Sequence, residues 1–163
     1  MTDVSLRRID ADTVRTICRL AVRPEQERFV APNAVSLAEA NFHDEAWYRA
    51  VYSGDEPVGF VMLSDKPVMP EYFLWRFMID ARHQGRGFGR EAIRLVVDHV
   101  RQRPGATELL TSVVEGEGGP LRFYEGLGFR LTGEYEDDEA VLRLPLEPAA
   151  AGAPPDASPS AEP

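Results

Sequence analysis

The chain has 163 residues, 44% of them apolar and 28% charged, with a net charge of −9. That length suits one domain with a core of its own, and no apolar run approaches the ~18 residues a membrane helix needs. The acidic balance is opposite in sign to a general nucleic-acid surface, and Cys18 as sole cysteine excludes an intrachain disulfide and a multi-thiolate metal site.

The opening MTDVSLRRID has no apolar segment behind its charges, so no secretory leader is expected and a cytoplasmic protein fits best. VSLRRI alternates as a first strand. Asp12 is placed to cap a helix running through Val22, with Val14, Ile17, Cys18 and Ala21 on one face. Cys18 on that face reads as inert core. Pro24 and Pro32 bracket a loop, EQERFVA. Ser36 and Glu39 have the spacing of a capping box for a second, short helix. AWYRAVYS and EPVGFVMLSD form a hairpin that turns at Gly54-Asp55. EYFLWRFMID, nearly all apolar apart from Arg76, reads as a central strand buried on both faces.

A helix follows, GFGREAIRLVVDHVRQRP, in which Ile93, Val96, Val97 and Val100 fall at i, i+3, i+4 and i+7 and Pro104-Gly105 makes the stop. ELLTSVV is a further strand. PLRFYEGLG is a short helix between Pro120 and Gly128, and FRLTGEYEDDEAVLRLPL is a closing hairpin turning at Asp137-Asp138. The order is β-α-α-β-β-β-α-β-α-β-β, an α+β fold over residues 1–146. Residues 147–163, rich in Pro, Ala and Ser, lack the apolar bulk to offset ordering entropy and read as a disordered tail.

Between the central strand and the long helix lies Arg82-His83-Gln84-Gly85-Arg86-Gly87-Phe88-Gly89-Arg90. Glycines there leave amide N–H groups uncovered, and the helix start adds unpaired donors and partial positive charge. Arg82, Arg86 and Arg90, spaced by four, are expected to line one side of the loop and fork onto phosphates. The ligand so described carries a pyrophosphate. The string lacks G-x-x-x-x-G-K-[ST], and as a G-x-G-x-x-G fingerprint it fails at Arg90. His83 lies in the same loop. His43 and His99 share no metal-ligand spacing with it, so no metal is expected.

Gln84-Gly85-Arg86-Gly87-Phe88-Gly89 resembles the Q-x-x-G-x-G acyl-CoA loop of the GNAT superfamily of N-acetyltransferases. Phe123-Tyr124 followed by Gly128-Phe129 resembles that superfamily's F-Y-x-x-x-G-F motif. The match in element order spans roughly residues 4–146, a mixed, mostly antiparallel sheet flanked by helices. Within the superfamily, the stretch from Trp75 to Gly87 and the Phe129–Glu134 ending resemble the bacterial spermine/spermidine (polyamine) acetyltransferases.

The resemblance implies acetyl-CoA as cosubstrate. Backbone groups of Phe77, Met78 and Ile79 would pair with the pantetheine arm, and amides of Gln84, Gly85, Arg86, Gly87, Phe88, Gly89 and Arg90 would hold the pyrophosphate. Tyr124 would lie near the thioester sulfur as general acid, and an N–H near Met78 would face the oxyanion. The sequence departs from the family at Glu117, where Asn is frequent, and at Pro120, where Ala is frequent.

For the acceptor, Glu27, Glu71 and Glu117 are candidate bases by position, and Phe29, Tyr72 and Trp75 are candidate walls for a cation. The expected activity is direct acetyl transfer to a primary amine, best a polyamine or similar small cation. A protein or peptide amine is the alternative substrate, and a silent acyl-CoA sensor the alternative class. By analogy with the family a homodimer is possible; no nucleic-acid or membrane partner is expected.

Overall fold

The computed structural model describes residues 3–147. The chain forms β1 (Val4–Arg7), α1 (Val14–Arg19), α2 (Asn33–Ala40), β2 (Ala46–Ser53), β3 (Glu56–Lys66), β4 (Glu71–Ile79), α3 (Phe88–Arg101), β5 (Glu108–Val113), α4 (Leu121–Gly126), β6 (Arg130–Glu136) and β7 (Glu139–Pro145). This is the α+β order read from the sequence. The expected tail, 147–163, lies outside the described residues except for Glu147, and none of the described helices is long and apolar enough to cross a membrane.

The seven strands make one sheet in the order β1-β2-β3-β4-β5-β7-β6. Every pairing is antiparallel except β4 with β5. Two cores flank it. On one face α3 buries Phe88, Ala92, Ile93, Val96, Val97 and Val100 against Val61, Leu74, Leu109 and Leu142. The larger of these side chains, from valine upward, each contribute roughly 1.5–3 kcal/mol by leaving water. On the other face Ile17 of α1 and Leu20 pack with Phe60, Met62 and Met78.

The parallel pair is the feature that makes a site. β4 and β5 are in register only at Phe73 with Leu110 and at Leu74 with Thr111. Beyond that point they diverge, so the second half of β4 pairs with β3 alone. A bulge adds to the effect: Met62 faces Arg76 and Leu63 faces Leu74, leaving Trp75 without a register partner. The extra residue shifts the side-chain phase. Tyr72 and Leu74 enter the α3-side core before it, whereas Phe77 and Ile79 do so after it.

Three local expectations are corrected. β4 reaches both cores, with Tyr72, Leu74 and Ile79 on the α3 side and Met78 on the α1 side, but its burial is incomplete: Trp75, Arg76 and Phe77 are half-buried beyond the last register pair with β5. Asp12 does not cap α1. The helix starts after Thr13 without a side-chain cap, and the Asp10 carboxylate closes the turn before it, accepting from the N–H groups of Asp12 and Thr13 at 3.0 Å each. That helix stops at Arg19 because Leu20 is extended and the Ala21 N–H is taken by Asp80 Oδ2 at 3.1 Å. Ala21 is consequently exposed and Cys18 only half-buried, so the expected apolar face reduces to Ile17. Ser36 and Glu39 form no capping box. Pro32 starts α2 earlier, its carbonyl accepting from Val35 and Ser36, so Ser36 is buried in mid-helix and Glu39 instead pairs with Arg76 at 3.3 Å. The expected loop EQERFVA contains a 3-10 turn, Pro24–Phe29.

Candidate active site

The divergence of β4 from β5 opens a cleft of about 660 Å³ that passes through the plane of the sheet. Phe88, Phe123 and Tyr124 line it from the α3 side, and Val22, Phe29 and Trp75 from the α1 side.

The glycine-rich segment borders one end. Gly85 and Gly87 have φ of 75° and 84°, where an L side chain is strained. A Cβ on either would meet nothing within 4 Å, so both leave open space beside bare backbone. Gly87 is the N-cap of α3 without a side-chain cap, and the first helical amide with a carbonyl partner is Glu91, bonded to Gly87 at 3.2 Å. The amides from Gln84 to Arg90 have no backbone acceptor among the described residues. A row of free donors at the positive end of a fourteen-residue helix is suited to a diphosphate.

The Gln84 side chain holds this loop in place. Its Nε2 donates to the Ile79 carbonyl and to Gln26 Oε1, each at 2.9 Å. Asp80, nearly fully buried, ties the same corner to α1 by accepting from Ala21 and Arg82. Burial opposes its charge, but hydrogen bonds from the Arg82 side chain and the two amides hold its carboxyl below the usual range.

The arginines do not form the expected row. Arg82 pairs with Asp80 at 3.0 Å. Arg86 approaches His83 Nδ1 at 3.3 Å and lies over the Phe88 ring. Only Arg90 of the three lines the cleft. The four-residue spacing aligns side chains on a continuous helix, but here a 3-10 turn at Ala81–His83 and an irregular loop precede α3. His83 is buried, with Nε2 3.4 Å from Glu56.

Tyr124, on α4, lines the cleft, its ring edge-on to Phe123 and Phe129. Burial pushes its phenol well above the usual tyrosine range, and the neighbouring Thr111 hydroxyl offsets only part of this. The group therefore keeps its proton throughout the neutral range. Phe123 stacks against Phe77 of β4 with ring centroids 6.0 Å apart.

Of the acceptor-side candidates, Phe29 and Trp75 line the cleft. Glu27 is exposed outside it, because the Pro24–Phe29 turn directs Gln26, Arg28 and Phe29 inward instead. Glu71 begins β4, on the paired side of the divergence, where it meets Lys66 at 3.9 Å and borders a separate groove with Phe73 and Tyr135. Tyr72 is core, its hydroxyl donating to the Pro104 carbonyl. Glu117 is exposed, and its carbonyl, not its carboxylate, is engaged, accepting from Arg28 at 3.1 Å. Thr111, Ser112 and Glu139 also line the cleft and were missed. Two hydroxyl residues in mid-strand within ELLTSVV were the one available signal.

A family model described as the acetyltransferase (GNAT) family matches residues 14–129. The spermine/spermidine N(1)-acetyltransferase of Bacillus subtilis (strain 168) is 27% identical over 145 residues, covering 82% of this chain and 91% of that protein. The peptidyl-lysine N-acetyltransferase YjaB of Salmonella typhimurium is 30% identical over 144 residues, covering 88% and 85%. Among solved structures, spermidine N-acetyltransferase from Vibrio cholerae in complex with CoA and spermine superimposes with a TM-score of 0.68 at 18% identity, covering 86% and 93%. The last likeness is one of fold. The chain belongs to the GNAT acetyltransferase family. It is an acetyl-CoA-dependent N-acetyltransferase.

Proposed function

We propose that the cleft binds acetyl-CoA along the free edge of β4 and transfers its acetyl group directly to a primary amine, best a polyamine or similar small cation. The observation that carries this reading is the joint presence of unsatisfied amides at Gln84–Arg90 and an unpaired β4 edge at Phe77–Ile79. The first takes the diphosphate; the second takes the amide groups of the pantetheine arm as a neighbouring strand would.

Acetyl-CoA supplies the activated carbonyl. Holding the amine beside it converts an encounter in solution into a reaction between fixed neighbours, which supplies much of the acceleration. An ammonium proton passes to solvent and the neutral nitrogen bonds to the carbonyl carbon while an N–H near Met78 faces the developing oxyanion; the carbon–sulfur bond then breaks, and the nitrogen's second proton balances the one the thiolate takes up. Tyr124 holds a phenolic proton beside the departing sulfur. The polyamine preference is supported by the names of the Bacillus subtilis and Vibrio cholerae proteins. The YjaB likeness favours peptidyl lysine as the second reading; both acceptors present a primary ammonium.

The test is release of CoA thiol from acetyl-CoA by the purified protein with spermidine, shorter diamines and lysine peptides as acceptors. Turnover with diamines is the expected result. Turnover with peptides alone overturns the polyamine assignment.

A further inference from the structure

We infer that Glu139 is the anion that receives the acceptor's ammonium group, a role that rests on reading the cleft as an N-acetyltransferase site. Glu139 is the one carboxylate lining the cleft among the described residues. From Leu131 to Asp138 every residue is exposed, and Glu139, the first residue of β7, is half-buried. Strand alternation puts it on the face of Val141, whose register partner is Ser112. That face is opposite the one on which Ala140 and Val113 enter the α3-side core.

The carboxylate is held but not neutralised. Ser112 donates its hydroxyl to Glu139 Oε2 at 2.9 Å, which fixes the rotamer. Glu139 makes no ion pair among the described residues, whereas Arg76, the cation beside Trp75 in the same cleft, is matched by Glu39. A half-buried, uncompensated carboxylate is costly to desolvate, and a bound cation offsets that cost. Its neighbours increase the demand. Glu136 is its register partner on β6, and Glu134 and Glu136 border the separate groove beside Val141. These charges favour a cation with more than one ammonium. Trp75 offers an aromatic wall in the same cleft.

The experiment compares wild type, Glu139→Gln and Glu139→Asp by steady-state CoA release with spermidine, by calorimetry with acetyl-CoA and by thermal melting. Glu139→Gln is expected to raise KM for spermidine roughly 10-fold or more, the size of a charge-assisted hydrogen bond. Its acetyl-CoA affinity should stay within about 2-fold and its melting within a few degrees, as for a surface-accessible site. Glu139→Asp should recover part of the loss. A Glu139→Gln protein with the wild-type KM overturns the inference while leaving the functional reading intact, as does one that loses acetyl-CoA affinity in parallel. A wild type that releases no CoA with any amine overturns the functional reading and the inference with it.

Discussion

The Thr111 hydroxyl donates to the Leu74 carbonyl at 3.0 Å, across the last register pair joining β4 to β5. This bond sits at the apex of the cleft, where the sheet stops supplying ladder partners. Thr111→Val keeps the shape and removes the donor from a buried acceptor, so a loss of about 1–2 kcal/mol is expected. Thermal denaturation should show the melting temperature falling by a few degrees.

Tyr124→Phe removes one oxygen from a buried ring that already packs against Phe123 and Phe129. Turnover should fall about 100-fold or more, with acetyl-CoA affinity by calorimetry unchanged. Because burial raises the phenol's pKa, loss of its proton should not produce an alkaline limb below ~10, the ordinary tyrosine value. The linkage has the same sign: the raised folded value contributes stability that is complete below ~10 and lost as pH rises through the folded pKa.

Gly87→Ala introduces a Cβ at a φ of 84°, a strain of roughly 1–2 kcal/mol, in space that no protein atom fills. The chain should still fold, and the loss should fall on diphosphate binding. Affinity for CoA is expected to drop while affinity for acetyl-pantetheine, which lacks the diphosphate, stays unchanged. Gly89→Ala differs in kind, because its Cβ would stand 3.3 Å from the Phe123 ring and disturb packing beside Tyr124.

Asp80→Asn should cost about 1–3 kcal/mol at pH 7, since the site was built for a charged acceptor. The native carboxyl is held below its usual value, so its contribution is present above ~3.9 and disappears as pH falls through the folded pKa. Denaturant melts of wild type and variant should therefore converge in strong acid.

Much of the fold was legible because it rests on local chemistry. The i, i+3, i+4, i+7 run in α3 is buried as its spacing requires, and the β2-β3 and β6-β7 hairpins turn at Gly54-Asp55 and Asp137-Asp138 as expected. The free amides and positive-φ glycines of the Gln84–Arg90 loop follow from residue type and position, so that part of the candidate site could be read from the string. The starts of α1 and α2 could not, because Asp10 and Pro32 set them in place of the local signals at Asp12 and Ser36.

The amino-acid order by itself determined the element sequence, the glycine cradle and the tyrosine at its side, each set within a few neighbouring residues. Tertiary structure alone decided that β4 parts from β5 after Leu74, that Arg82 and Arg86 turn away from the cleft, and that Glu139 enters it beside Ser112. Those outcomes join residues tens of positions apart. Strand divergence, a one-residue bulge and competition for hydrogen-bond partners are fixed only when the whole sheet closes around them.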